Sequence, residues 1–134
     1  MTRRRSVVVE GLHAGQPIPA ASVVGNLLVS GGIGGLDPSA GAFPDGLDEQ
    51  VAILFANVRR VVEAGGGSTD DIVRVTFYVR DRSSRDAINR EWVEMFPDSE
   101  SRPARHTIVY APADPMLVQC DIFAVINDPD GERS

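Results

Sequence analysis

Pro103-Ala-Arg-His-Thr-Ile-Val-Tyr110 is followed by Ala111-Pro-Ala-Asp-Pro115 and then by Met116-Leu-Val-Gln-Cys-Asp-Ile-Phe-Ala-Val-Ile126. Two runs rich in β-branched and aromatic residues flank a break whose prolines cannot sit inside a central strand. They read as neighbouring strands joined by a short connection. Side chains of a strand alternate between its faces. Val118, Cys120, Ile122, Ala124 and Ile126 therefore share a face that is wholly apolar and belongs to the core. Leu117, Gln119, Asp121 and Phe123 share the other, and its polar groups need water, a partner subunit or a ligand.

Working outward, Arg85 to Phe96 has Ile88, Trp92, Met95 and Phe96 on one side, the spacing of an amphipathic helix. Before it, Val73, Val75, Phe77 and Val79 alternate with Arg74, Thr76, Tyr78 and Arg80, which predicts a strand with one wet face. Leu47 to Ala64 carries Val51, Leu54, Phe55, Val58, Val61 and Val62 in one stripe. Asp48 and Glu49 in its first turn suit the helix dipole, and Gly65-Gly66-Gly67 supplies a left-handed cap. Ser22 to Ser30 reads as a strand broken by a hairpin signal at Gly25-Asn26. Ser6 to Val9 is a short β-like run, and His13 to Ala21 is an extended loop.

The order is ββαβαββ, an α+β sandwich: one mixed sheet, an antiparallel pair at each end, and two helices covering a single face. The opposite face then stays bare, and copies of the chain are expected to bury it. At 134 residues the chain is read as a single domain, with a core over about residues 6–126 and a polar, disordered tail at 127–134.

Charge narrows the function classes. The net charge is −6, and all 13 basic residues are arginine. An acidic surface makes nucleic acid a poor partner. Arg3-Arg4-Arg5 is the one dense basic run and is expected to be solvated on a frayed terminus. A single cysteine rules out an internal disulfide, and no His or Cys pair has metal-ligand spacing. No apolar run is long enough to span a bilayer or to form a signal peptide, so the expectation is a cytoplasmic protein without membrane contact.

The chemistry concentrates in few residues. Arg105 opens a strand directly after Pro-Ala, where a guanidinium can offer a planar fork to a carboxylate; the alternative is a structural ion pair. Gly31 to Gly35 follows a strand but runs into a turn rather than a helix, so it is no dinucleotide fingerprint. These glycines serve either strand bends or close approach of a ligand. Cys120 faces the core as a small hydrophobe. His13 and His106 stand alone, Ser30 has no adjacent base, and Trp92 is packing or a pocket wall.

The order of elements, Val29-Ser30-Gly31, Asn89 in the second helix, Pro103-Ala104-Arg105 and the closing strand Val118 to Ala124 resemble the Rid/YjgF family of reactive-intermediate imine deaminases, over roughly Pro17 to Ile126. The resemblance implies a chorismate-mutase-like homotrimer with three sites between subunits. It implies that Arg105 holds the carboxylate of a 2-imino acid. Gly31 and Thr107 would lie against the substrate's nitrogen and carboxylate, with Ser30 and Asn89 nearby. The implied reaction hydrolyses a 2-imino acid or enamine to a 2-keto acid and ammonia, without cofactor or metal.

Three positions depart from the family pattern. Active members usually carry a glutamate at Gln119, where the carboxylate is held to activate water; an amide can orient water but cannot take its proton. A pocket tyrosine is replaced by Ile18, and a cysteine by Thr107. Asp121, two residues along the strand, could supply a base or be a structural carboxylate. Two functions remain open: a hydrolytic imine/enamine deaminase using Arg105 and Gln119, or a variant hydrolase of small carboxylates on the same trimeric scaffold, and a non-catalytic trimer that binds small keto or amino acids through Arg105 as sensor or scavenger. Ribonuclease or translation-inhibitor activity, attached to some family members, ranks behind both, since the charge is acidic and no His-based acid/base pair is present.

Overall fold

The computed structural model describes residues 3–127. The tail expected at 127–134 therefore lies outside the described residues, apart from Asn127. The strands are β1 (Arg4–Val7), β2 (Ala21–Val24), β3 (Leu27–Ser30), β4 (Ile33–Gly34), β5 (Ile72–Val79), β6 (Ala104–Val109) and β7 (Val118–Val125). The helices are α1 (Leu47–Ala64) and α2 (Arg85–Met95), with single 3-10 turns at Thr69–Asp71 and Arg82–Ser84.

The sheet runs β1-β2-β3-β7-β5-β6, with β4 also pairing β7. Only β5 and β6 are parallel, which makes the sheet mixed. α1 follows the apolar stripe from Val51 to Val62 and packs it on the buried face of β7. α2 closes the same face with Ala87, Ile88 and Trp92. The α+β sandwich with both helices on one face is thus present. The predicted second strand resolves into the β2–β3 hairpin around Gly25-Asn26, whose Gly25 takes φ +61°. A positive φ at the first loop position is what a tight hairpin of the II′ kind needs there. α1 ends as predicted: Gly66 sits at φ +101° and the Gly66 and Gly67 N–H groups donate to Glu63 and Val62, a Schellman arrangement.

Three expectations are corrected. β6 and β7 are not neighbours, so no antiparallel pair closes the sheet; β5 lies between them. The physical reason is burial. β7 has five side chains buried in alternation, counting Ile126 beyond its end, and takes a central place. β6 leaves Ile108 and Val109 exposed and takes the edge, reached by the parallel β5-α2-β6 crossover. Second, β1 starts at Arg4 rather than Ser6, and Arg5 is not frayed: its guanidinium donates to the Gly65 carbonyl at the α1 C-terminus (2.9 Å). Third, Val73 does not face the core. A bulge between Ile72 and Arg74 shifts the register, so Ile72 is buried and Val73 is exposed.

The bulge restores alternation for the rest of β5. Val75, Phe77 and Val79 lie beneath the helices, while Tyr78 points to the bare face. That face carries Phe123 at 40% exposure and Val125 at 48%, with the Arg74 guanidinium 5.4 Å above the Phe123 ring.

Candidate functional site

The residues singled out from the sequence fall into two groups on opposite faces of the sheet. Arg105 and Thr107 are two apart on β6 and share the helix side. Together with Asn89 they line a cleft of about 370 Å³ between β6 and the start of α2. The Arg105 guanidinium rests 5.1 Å from the Trp92 ring centre and 5.5 Å from that of Phe77. Those rings are themselves fixed by edge contacts, Phe77 to Trp92 at 6.2 Å and Trp92 to Phe96 at 4.9 Å. Trp92 is therefore both core packing and the seat of the arginine.

No hydrogen bond or ion pair to Arg105 is present among the described residues. Aromatic faces hold the fork in place while leaving its donors free. Its pKa is lowered, first by burial and then by the positive charge of Arg85. A bound carboxylate would oppose both effects. Arg85 and Arg82 also line the cleft, and sequence reasoning missed them. A signal existed: Arg85 stands one turn before Asn89, and residues four apart share a helix face. Asp81 is the cleft's carboxylate, and its Oδ1 already accepts from the Ser83 N–H (2.9 Å) and hydroxyl.

The second group lies across the sheet. Gln119 pairs with Tyr78 and so points to the bare face, away from Phe77 and Arg105. A Cβ on Gly32 would meet the Gln119 amide, which lies close over the backbone there. Gly35 is pressed against the α1 backbone at Gln50 in the same way. Gly32 and Gly35 thus serve close packing within the chain. Tyr78 donates its hydroxyl to Asp121 Oδ2 (2.9 Å), and this bond is the main reason its pKa is raised, followed by burial. Asp121 is in this structure a hydrogen-bonded carboxylate.

Ser30 fills a gap in the ladder. β3 leaves β7 after the Val29–Phe123 pair, and β4 rejoins it at Ile33–Cys120. The Ser30 hydroxyl takes the place of the missing backbone partner: it accepts from the buried Ile122 N–H (2.8 Å) and donates to the Gly31 carbonyl (2.8 Å). Gly31 in turn donates its N–H to Ala20 (2.9 Å). Ser30 therefore shapes the Gly31 backbone.

His13, read as an ordinary histidine, sits at φ +57° with Nε2 3.0 Å from the Gly32 carbonyl. A carbonyl only accepts, so Nε2 carries the proton. Cys120 is fully buried, and burial pushes its thiol well above the usual range, consistent with an inert core residue. No cluster of three potential metal ligands occurs among the described residues, and no described helix is long and apolar enough to cross a membrane.

One mixed sheet, two helices on one face and a cleft on the edge strand define an α+β sandwich of the YjgF/RidA type. The family described as Endoribonuclease L-PSP matches residues 12–126. The chain belongs to this family, the Rid/YjgF proteins. It is 36% identical over 89 residues to a RutC family protein of Aquifex aeolicus, covering 66% of this chain and 70% of that one. It is 28% identical over 103 residues to the 2-iminobutanoate/2-iminopropanoate deaminase of Salmonella typhimurium, covering 76% and 80%. Among solved structures, RidA from the Antarctic bacterium Psychrobacter sp. superposes with a TM-score of 0.81 at 26% identity, covering 91% of this chain and all of that one. The E. coli YjgF product, at 24% identity and TM-score 0.81, shares the fold.

Proposed function

We propose that the protein is a hydrolytic deaminase of small 2-imino carboxylates, working as a homotrimer whose sites form between subunits. The observation that carries this reading is the Arg105 guanidinium, seated on two aromatic rings in an open cleft with its donors uncommitted. A forked cation of this kind matches a planar carboxylate. The 28% identical Salmonella relative, a 2-iminobutanoate/2-iminopropanoate deaminase, supports the substrate class.

The geometry of the two groups supports an assembly of copies. Arg105 and Gln119 point to opposite sides of one sheet, so one chain cannot apply both to the same small molecule. A neighbouring copy can, because β6 is an edge strand and the bare face offers Phe123 and Val125 for burial. Arg105, Thr107 and Asn89 of one subunit then face Gln119 and the Gly31 backbone of the next. Analytical ultracentrifugation checks this: a stable monomer at working concentration removes the interface site.

In the reaction, Arg105 fixes the carboxylate and Gln119 orients a water toward the imine carbon. Water adds to the C=N carbon, the nitrogen takes the protons, and collapse of the carbinolamine releases ammonia and the 2-keto acid. The substrate nitrogen is basic enough to accept the proton that an amide cannot. No cofactor or metal enters this scheme. A cytoplasmic location belongs to the same reading, in keeping with one buried, unpaired cysteine.

The test couples an amino-acid oxidase, which makes imino acids in place, to detection of keto acid by wild type, Arg105→Ala and Gln119→Glu. Activity in wild type and loss in Arg105→Ala is the expected result. A second reading, a non-catalytic binder of keto or amino acids, is favoured by the Gln119 amide itself. It predicts a silent wild type that still binds 2-oxo acids through Arg105. Silence of all three with no binding refutes both.

A further inference from the structure

The cleft around Arg105 holds more positive charge than a single carboxylate needs. Arg82, Arg85 and Arg105 line it with one carboxylate, Asp81, so two positive charges are in excess. This stands in a chain whose net charge is −6. One oxygen of that carboxylate, Oδ1, is already engaged by Ser83. No ion pair to Arg82 or Arg85 is present among the described residues, whereas Arg80 and Arg90 each have an acidic partner.

A bland account makes Arg82 and Arg85 solvated surface charges, as exposed arginines often are. Two observations argue against it for Arg85. It lines the same cleft as Arg105, and its charge adds to burial in depressing that guanidinium's pKa, so like charges share the cleft. Such a pairing costs stability unless an anion relieves it. In addition, Arg85 is the first residue of α2, where the helix dipole disfavours a cation even though Asp81 caps the preceding turn through the Ser83 N–H.

We propose that the cleft selects doubly charged substrates: 2-imino dicarboxylates whose carboxylate beside the imine carbon lies on Arg105 and whose distal carboxylate is taken by Arg85. This rests on Arg105 holding the first carboxylate, as proposed above. The volume suits it, since about 370 Å³ is within the ~300–1,000 Å³ of small-molecule sites. Arg85 contributes binding to the part of the substrate that does not react. The reaction is unchanged: water adds to the imine carbon, ammonia leaves, and the product is a 2-oxo dicarboxylate.

Two measurements test it. The first compares kcat/KM for imino acids generated by oxidases from aspartate or glutamate with those from 2-aminobutyrate, norvaline and the neutral amide glutamine. Wild type should prefer the dicarboxylates over the amide, and Arg85→Ala should lower the dicarboxylate-to-amide ratio about tenfold or more, the loss of one charge-assisted contact. Arg85→Lys should keep part of the ratio, and added salt should erode it in wild type. The second is calorimetric binding of 2-oxoglutarate and 2-oxobutyrate, which needs no turnover. Wild type should bind the dicarboxylate more tightly, with the difference lost in Arg85→Ala. A ratio that Arg85→Ala leaves unchanged, in turnover or in binding, overturns the inference while the single-carboxylate reading stands. Binding of neither acid by wild type overturns both.

Discussion

Replacing Ser30 with alanine isolates the one hydroxyl that bridges β3 to β7. The substitution removes the acceptor of the Ile122 N–H and the donor to the Gly31 carbonyl. Ile122 is fully buried, and Ser30 is nearly so. The small void left by an oxygen inside closely packed strands gives water little access, so the N–H is orphaned. An unsatisfied buried donor costs about 1–3 kcal/mol, and the Gly31 carbonyl, being exposed, adds little because water can reach it. With a urea m-value of about 2 kcal/mol/M, the midpoint should fall by ~0.5–1.5 M with an unchanged slope. The assay is urea unfolding followed by Trp92 fluorescence and far-UV circular dichroism, at one fixed protein concentration because the stability of the proposed assembly would depend on it. A loss below about 0.5 kcal/mol refutes the ladder-gap argument. Wild-type stability combined with abolished deamination would refute it more sharply, since the hydroxyl would then serve substrate rather than backbone.

Other perturbations probe the remaining contacts. Arg105→Lys should weaken 2-oxo acid binding about tenfold or more in calorimetry, because an ammonium cannot reproduce the fork or its stacking on Trp92 and Phe77; retained affinity would mean that charge alone suffices. Phe123→Asp places a charge on the bare face at 40% exposure and should shift sedimentation toward monomer while leaving the circular dichroism of the sheet in place. Gln50→Ala removes a side chain that donates to Pro44 and Pro115 and accepts from the Leu117 N–H, and should cost about 2–4 kcal/mol in thermal or urea unfolding. Tyr78 has a raised pKa, so the stability from its bond to Asp121 is present below its unfolded pKa near ~10 and is lost as pH rises through the folded value. Tyr78→Phe should accordingly lose less stability than wild type as the pH rises above about 10, as read by unfolding midpoints.

Much of the architecture was legible because single segments carried strong periodicities. Asp48 and Glu49 marked the start of α1 and Gly65-Gly66-Gly67 its end, and the alternation in β7 identified its buried and exposed faces residue by residue. Sheet order was not legible in the same way. Whether β6 and β7 are neighbours depends on which strand gains more by occupying the centre, and that is a comparison between distant segments. The bulge at Ile72/Arg74 was equally hidden, since Ile72 and Val73 are interchangeable as apolar residues until the partner strand sets the register. At the site, Arg105 stood out by its place after Pro-Ala. Its aromatic seat did not, because Trp92 and Phe77 belong to different elements and meet only in the folded core. Arg85 escaped notice because an exposed arginine on a polar helix looks like any other until the cleft shows what lies opposite.

The alternation along β5 has a consequence for how such a protein can fail. Phe77 and Tyr78 are adjacent in sequence yet belong to opposite half-sites, one under Arg105 and the other beside Gln119. In the proposed assembly, a chain therefore lends its arginine to one neighbour and its amide to the other, and never completes a site by itself. Two crippled populations, Arg105→Ala and Gln119→Ala, should then repair each other when unfolded and refolded together. Some mixed trimers will juxtapose an intact arginine with an intact amide at one junction, and activity absent from either population will return in the blend. A site contained within one chain would show no such complementation.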